Sequence, residues 1–381
     1  MKKILFLFLF LLIPVNVFAE EEFIPNGTSG ILIEANSGKI IFEKDKDKQL
    51  SVASMTKMMS QILILERVES GKIKWDDIVT VSKNAANMGG SQIYLSEGEK
   101  MSVEDLMKGI SVASGNDATV AMAEYISGSE EKFVAIMNKK AKELGLKNTH
   151  FVNCTGLDEE NHYSSSYDMA MIARELVTNH PEILRFSSIY EDYLREDTQD
   201  KFWLVNTNKL INFYSGADGL KTGHTDAAGY CLAATAKRND LRLIAIVLGE
   251  KDSKVRNTET ISLLDYGFNS VKMKNLLKKG TVVKKITIHK GSQESVEVKL
   301  KNNLNVLENA GSEEAGTYQY DVVVDEVKLP IKKGEVIGKI LVKDKDKVVS
   351  KGDLIIDTSV NTLNVFELFL REFRNLVFGN F

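Results

Sequence analysis

The chain is poor in cysteine: Cys154 and Cys231 are the only two in 381 residues. Thiols 77 positions apart supply neither the close pairs that hold zinc nor a disulfide framework, so they read as buried free thiols, with a single disulfide between them as the alternative that the sequence leaves open. Proline is as scarce, at four, and there is no repeat or low-complexity tract, which leaves the composition of an ordinary folded protein. The five histidines (His150, His162, His180, His224 and His289) contain no H-x-x-x-H pair, which argues against a zinc peptidase. No metal or other cofactor is expected. Neither sign of charge dominates, with 49 basic residues against 53 acidic and a net charge of −4. No basic stripe with interleaved aromatics occurs, so nucleic acid is a poor partner.

What is present begins with a leader. Lys2 and Lys3 precede a continuous apolar run from Ile4 to Ile13, and Val17-Phe18-Ala19 places small residues where a signal peptidase reads. Residues 1–19 are therefore expected to be a cleaved export signal; the alternative is an uncleaved membrane anchor, for which the run is short against a ~30 Å hydrocarbon core. Such a protein works outside the cytoplasm. The remaining length suits two domains.

Periodicity divides the mature chain. Gly30–Ala35 and Lys39–Glu43 are β-type runs around Asn36-Ser37-Gly38, a hairpin. From Ser54, the positions Met55, Met58, Ile62, Leu63 and Val68 recur at helical spacing, predicting an amphipathic segment that ends near Gly71. Residues 102–178 read as mainly helical, with Ser102 and Asp105 as a capping box and Gly145 closing a helix. Strand character returns at Gly229–Lys237 and Leu241–Leu248, joined by Arg238-Asn239-Asp240, before a helix around Lys254–Tyr266. The expectation is an α+β domain over 24–270 with an antiparallel sheet and helices. A small all-β, sandwich-like domain is expected over 276–358, with the boundary between Gly267 and Gly280.

Three short motifs stand in order: Ser54-Met55-Thr56-Lys57 (S-x-x-K), Ser114-Gly115-Asn116 (S-x-N) and Lys221-Thr222-Gly223 (K-T-G). Each alone is weak; together, with the first opening a helix, the second joining helical segments and the third leading into a strand, they specify acyl transfer on a serine. Residues three apart on a helix share a face, so the Lys57 amine can reach the Ser54 hydroxyl. That amine can act as a base only when neutral, a state favoured by burial beside a second cation, for which Lys221 is the natural candidate. Ser114 is expected to relay a proton to the leaving amine, and Asn116 to hold Lys57 or the substrate backbone. Lys221 and Thr222, at the start of a strand, would face a terminal carboxylate, while Gly223 allows close approach. The backbone N–H groups of Ser54 and His224 are the expected oxyanion hole, His224 contributing its main chain and not its ring.

These residues resemble the low-molecular-mass penicillin-binding proteins, specifically the D-alanyl-D-alanine carboxypeptidases of peptidase family S11. The likeness extends to Gly89-Gly90-Ser91-Gln92, to Asn153 with Thr155-Gly156-Leu157, to Asp218–Thr225 and to Ala228-Gly229-Tyr230. It implies a β-lactamase/transpeptidase-like fold followed by a small β domain and a terminal helix. It also implies a substrate, the D-Ala-D-Ala end of a peptidoglycan stem peptide, with β-lactam antibiotics as covalent inhibitors. Gly115 stands where many transpeptidases have Asp, a form usual in S11. The rival readings are a β-lactamase-type hydrolase, disfavoured by the lack of an E-x-x-L-N segment, and a non-catalytic penicillin-sensing or wall-binding protein.

Residues 359–381 form the last segment. Leu363, Phe366, Leu370, Phe373 and Val377 repeat at intervals of three and four, with Glu367, Arg371, Arg374 and Asn375 elsewhere on the turn. Charge interrupts the segment too often for it to cross a bilayer. It is expected to lie in the interface as a peripheral anchor at the outer face of the cytoplasmic membrane. A helix packed back on the β domain, or one that dimerises, is the alternative.

Overall fold

The computed structural model describes residues 23–311 and 317–378. The expected export signal at 1–19 lies outside the described residues. Strands β1 (Ser29–Glu34) and β2 (Ile40–Lys44) form the opening hairpin, and Glu34 fastens its turn by accepting from the Asn36 and Ser37 N–H groups. A 3-10 turn at Ala53–Thr56 runs directly into α1 (Lys57–Glu69). Short β3 (Ile78–Thr80), α2 (Lys83–Ala86) and β4 (Lys100–Ser102) follow. The helical layer comprises α3 (Val103–Lys108), a π-helical turn at Gly109–Ala113, α4 (Asn116–Ser127), α5 (Glu130–Glu143), α6 (Ser166–Asn179) and α7 (Ile183–Ser187). Ser102 caps α3 by accepting from the Asp105 N–H.

A hairpin, β5 (Glu191–Leu194) and β6 (Phe202–Val205), and the short α8 (Leu210–Phe213) lead to β7 (Ala217–Thr225), β8 (Gly229–Arg238), β9 (Leu241–Glu250) and α9 (Ser253–Ser270). The main sheet runs β2-β1-β9-β8-β7, antiparallel throughout, which leaves β7 at an edge. Both of its faces are covered. Alternation along β1 shows how: Ile31 and Ile33 join the core built with α1 and α6, while Leu32 joins the one built with Leu263 and Leu264 of α9.

Two expectations need correction. The helix opening at Ser54 was expected to be amphipathic, yet Lys57–Leu65 is buried on every side, because α1 is packed between α4, α5, α6 and β7. The K-T-G motif does not begin its strand. β7 starts at Ala217, four residues earlier, where Ala217 and Gly219 pair with Ala236 and Thr235 despite their low strand propensity.

α9 continues to Ser270 and passes without coil into β10 (Val271–Leu277), which pairs with β13 (Leu304–Asn309). The other strands are β11 (Val282–Thr287), β12 (Ser295–Leu300), β14 (Tyr318–Val324), β15 (Val336–Asp344) and β16 (Lys347–Ile356). They form a second antiparallel sheet, ordered β11-β12-β16-β15-β14, around a core of its own that includes Val298, Leu300, Ile340 and Leu354. The whole is α+β, an antiparallel sheet flanked by helices and then an all-β domain. Last comes α10 (Val365–Phe378); among the described residues no helix is long and apolar enough to cross a membrane.

Candidate active site

Ser54 sits in the 3-10 turn with its side chain partly accessible, and Lys57, three residues on, is completely buried behind it. Lys57 Nζ lies 2.8 Å from Ser54 Oγ, 2.6 Å from Asn116 Oδ1 and 2.8 Å from the Thr155 carbonyl oxygen. The Asn116 amide is oriented by its other end, since Nδ2 donates to the Gly89 carbonyl at 2.7 Å. Two of the three neighbours of the amine can therefore only accept. A neutral amine has two N–H groups and one lone pair; the N–H groups go to Asn116 and Thr155, which leaves the lone pair facing the serine hydroxyl. Burial pushes the Lys57 amine down to about 7, against smaller opposing effects of Cys154 and Asp117.

The Thr155 carbonyl is held by a loop. Asn153 Oδ1 accepts from the N–H groups of Thr155 and Gly156 and from Thr155 Oγ1, and Asn153 Nδ2 donates to the Leu157 carbonyl. Gly156 has φ +87°, and a Cβ there would lie 1.9 Å from the Ala53 carbonyl oxygen, so the loop rests directly on the backbone that presents Ser54. Ala53 itself is strained, at φ 47°. A second tie joins the same pieces. The Val152 N–H donates to His162 Nδ1, so Nε2 carries the ring proton and donates to Thr56 Oγ1 at 2.9 Å. Burial pushes this imidazole down to about 4, which keeps it neutral.

The middle motif forms the opposite wall. After the π-helical turn the chain reverses at Ser114, φ 64°, and α4 starts at Asn116. Ser114 is 3% exposed, and its hydroxyl has no hydrogen-bond partner among the described residues. The Asn116 N–H donates to the Ser91 carbonyl at 2.7 Å, and Asp117 accepts from the Ile93 and Leu95 N–H groups, which pins the 89–95 loop to this wall. Both ends of the Asn116 amide are taken up. Of its two expected roles, the geometry supports holding Lys57.

The third side is the edge of β7. Lys221 is 1% exposed and Thr222 7%; Lys221 Nζ donates to the Thr222 carbonyl at 3.0 Å, and Thr222 Oγ1 to Thr207 Oγ1 at 2.8 Å. A Cβ on Gly223 would lie 2.6 Å from the Val52 carbonyl oxygen, so this strand packs against the turn that carries Ser54. Burial, then the charges of Lys57 and Arg256, drives the Lys221 amine well below its ordinary value. Burial is the first cause of the lowering at both amines, and the charge repulsion between Lys57 and Lys221, which acts on each alike, adds to it. His224 is exposed, its ring tilted 4.0 Å from that of Tyr230, its cross-strand partner.

The structure thus brings Ser54, Lys57 and Asn116 into direct contact and sets β7 beside them. Motif reading had given no role to the Thr155 carbonyl, to Asn153 behind it or to Asp117. The Asn153-x-Thr155-Gly156 segment was visible as a pattern, but a carbonyl is shared by every residue and gives no signal in the sequence. Cys154 and Cys231 are both free and buried.

Comparison with known proteins gives two family matches: residues 18–252 to the model described as D-alanyl-D-alanine carboxypeptidase, peptidase S11, and residues 272–362 to that described as penicillin-binding protein 5, C-terminal domain. The D-alanyl-D-alanine carboxypeptidase DacF of Bacillus subtilis (strain 168) is 48% identical over 323 residues, covering 85% of this chain and 83% of the relative. Among solved structures, penicillin binding protein 5 from Haemophilus influenzae is similar with a TM-score of 0.68 at 32% identity, covering 88% of this chain and 98% of that one. The ampicillin-bound form of penicillin-binding protein D2 from Listeria monocytogenes is similar over 64% of this chain and 97% of that one, with a TM-score of 0.58 at 31% identity.

Proposed function

The chain belongs to the D-alanyl-D-alanine carboxypeptidases of peptidase family S11, and from that premise we propose that Ser54 is the nucleophile, Lys57 its general base and Ser114 the relay to the leaving group. The protein is a serine-type D-Ala-D-Ala carboxypeptidase that removes the terminal D-Ala of peptidoglycan stem peptides, and it is a penicillin-binding protein. Family membership disfavours the β-lactamase and non-catalytic readings.

The observation that carries the assignment of roles is the Lys57 amine, 2.8 Å from Ser54 Oγ and held there by the Asn116 Oδ1 and Thr155 carbonyl oxygens. Ser54 Oγ attacks the carbonyl carbon of the penultimate D-Ala as its proton passes to Lys57 Nζ. Charge develops on the carbonyl oxygen, which the N–H groups of Ser54 and His224 receive; the first N–H groups of a helical turn lack partners within it. Ser114, whose hydroxyl has no partner among the described residues, passes the proton from Lys57 to the departing D-Ala nitrogen, the C–N bond breaks, and an ester on Ser54 remains. Water, deprotonated by the same amine, then releases the shortened peptide. Lys221, Thr222 and Gly223 bind the substrate along the β7 edge, with Lys221 and Thr222 on the side of the terminal carboxylate. In a β-lactam the departing nitrogen stays tethered to the acyl group, where it obstructs the water, so the acyl-enzyme persists.

The test is D-alanine release from diacetyl-Lys-D-Ala-D-Ala by the leaderless protein and its Ser54→Ala variant. Release and labelled-penicillin uptake should both vanish with the hydroxyl. Retention of either would refute the assignment.

The reading extends to location. We place residues 1–19 as an export signal, 24–270 as the catalytic unit, 276–358 as the β domain and 359–381 as an anchor lying in the outer interface of the cytoplasmic membrane. Support comes from α10: Phe366, Leu370, Phe373 and Val377 are all exposed, while Arg371 donates to the Gly291 and His289 carbonyls of the β domain. One side of the helix is thus tied down and its apolar stripe is left facing outward. Deleting 361–381 should move the mature protein from the membrane fraction to the soluble one; continued membrane association would refute the anchor.

A further inference from the structure

The β5–β6 hairpin displays aromatic rings for which the reaction has no use. In its register Tyr193 stands opposite Trp203, and both face outward, 40% and 55% exposed. The other face is anchored: Leu194 and Leu204 are buried, and Arg195 donates to the Ile93 and Tyr94 carbonyls while pairing with Glu99. The outer rings are therefore presented on a fixed support. Lys201 Nζ sits 3.9 Å from the centre of the Tyr193 ring, two residues from Trp203 on the same face.

A protein partner would demand a broad apolar patch, and this surface is two rings set among charged groups, Glu191 and Lys201 included. An indole face flanked by an ammonium donor suits a sugar: the axial C–H groups of a pyranose stack on the ring, and its hydroxyl and acetamide oxygens accept hydrogen bonds. The hairpin is also continuous with the cleft. β6 runs into Asn206 and Thr207, and Thr207 Oγ1 is bonded to Thr222 of the K-T-G motif. From Trp203 to Thr207 is four residues, about 13 Å of extended chain. The stem peptide up to its scissile bond is four residues, about 13 Å when extended, which matches the length of chain from Trp203 to Thr207 at the cleft.

We propose that the outer face of β5–β6 is a glycan-binding platform, with Trp203 as the stacking surface and Lys201 as the donor, that holds the sugar strand from which the stem peptide hangs. The proposal rests on the carboxypeptidase reading for its substrate, and its test separates the two. Trp203 and the partly buried Trp75, whose Nε1 donates to Glu182, are the only tryptophans, so intrinsic fluorescence reports on the platform without turnover.

The leaderless full-length protein is titrated with an N-acetylglucosamine tetramer, and D-Ala release is measured on diacetyl-Lys-D-Ala-D-Ala and on isolated polymeric peptidoglycan. The tetramer should perturb the emission of the native protein and of Trp75→Phe, but not that of Trp203→Ala. Trp203→Ala should lose roughly tenfold in kcat/KM on the polymer, the effect expected of one stacked ring, with the small peptide unaffected. Trp203→Phe, which keeps a ring, should recover most of that loss. Equal losses on both substrates, an unchanged rate on the polymer, or emission indifferent to the tetramer would each overturn the platform. A native protein that responds to the tetramer but releases no D-Ala from either substrate would instead uphold the platform and refute the carboxypeptidase reading.

Discussion

The acid limb of acylation is the sharpest consequence of the Lys57 environment. Burial takes the amine from 10.5 to about 7, which corresponds to about 5 kcal/mol of lost preference for the ammonium form. At pH 7 about half of the protein then carries a neutral Lys57, against roughly one molecule in 3,000 for an ordinary lysine, so burial alone multiplies the reactive fraction by about a thousand. The second-order rate of acylation by a labelled penicillin, followed from pH 5 to 10 in the leaderless protein, should rise about tenfold per pH unit at the acid end and level off near pH 7. Lys57→Ala should abolish the limb together with the rate. Lys57→Arg should also be inactive, because a guanidinium stays protonated throughout this range. A limb that levels off near pH 10, or one that persists without the amine, would show that Lys57 is not the base.

The loop behind the amine gives a second test: Asn153→Ala removes the acceptor for three donors and a donor to Leu157, and should cost about 2–3 kcal/mol in urea unfolding while slowing acylation at least tenfold. A change below about 0.5 kcal/mol would contradict the clamp. Gly156→Ala drives a Cβ into the Ala53 carbonyl and should abolish penicillin uptake; Gly145→Ala also has positive φ, but nothing lies within 4 Å, so it should cost only about 1 kcal/mol and leave uptake intact. Equal behaviour of the two variants would mean that backbone conformation, not the contact with the nucleophile turn, sets the outcome. Away from the cleft, burial and the neighbouring Glu259 push the Glu250 carboxyl up to about 8, with Asp252 adding to the shift and Lys44 opposing it. A carboxyl raised on folding contributes stability that is complete below about pH 4.5 and is lost as pH climbs to about 8. Glu250→Gln should therefore gain in Tm relative to the native protein between pH 5 and 8.5; parallel curves would refute the shift.

Much of this was legible along the chain. The S-x-x-K spacing already required the Lys57 amine and the Ser54 hydroxyl to share a helical face, because that depends only on the local geometry of three successive peptide units. Two β-type runs around the Arg238-Asn239-Asp240 turn located the β8–β9 hairpin, and the tail declared its apolar stripe through its period. What the local pattern could not hold were relations between distant segments. α1 was expected to have a wet side, because periodicity records where apolar residues fall and not that α4, α5, α6 and β7 close around the helix from every direction. β7 was expected to begin at Lys221, since the glycine and alanine before it have little strand propensity and are recruited only by pairing with β8.

The residue types themselves were determined by the sequence: two serines, two lysines, an asparagine, a threonine and a glycine at spacings that fit acyl transfer, in the family pattern that names the substrate. Whether the first lysine could be a base was decided only in three dimensions. Its state depends on the water excluded by α4 and the 153–157 loop, and on a backbone carbonyl 98 positions away that takes up one of its N–H groups. Desolvation and hydrogen-bond supply belong to the assembled cleft and not to any one stretch of chain, so folding is what lowers the Lys57 amine toward neutrality beside Ser54.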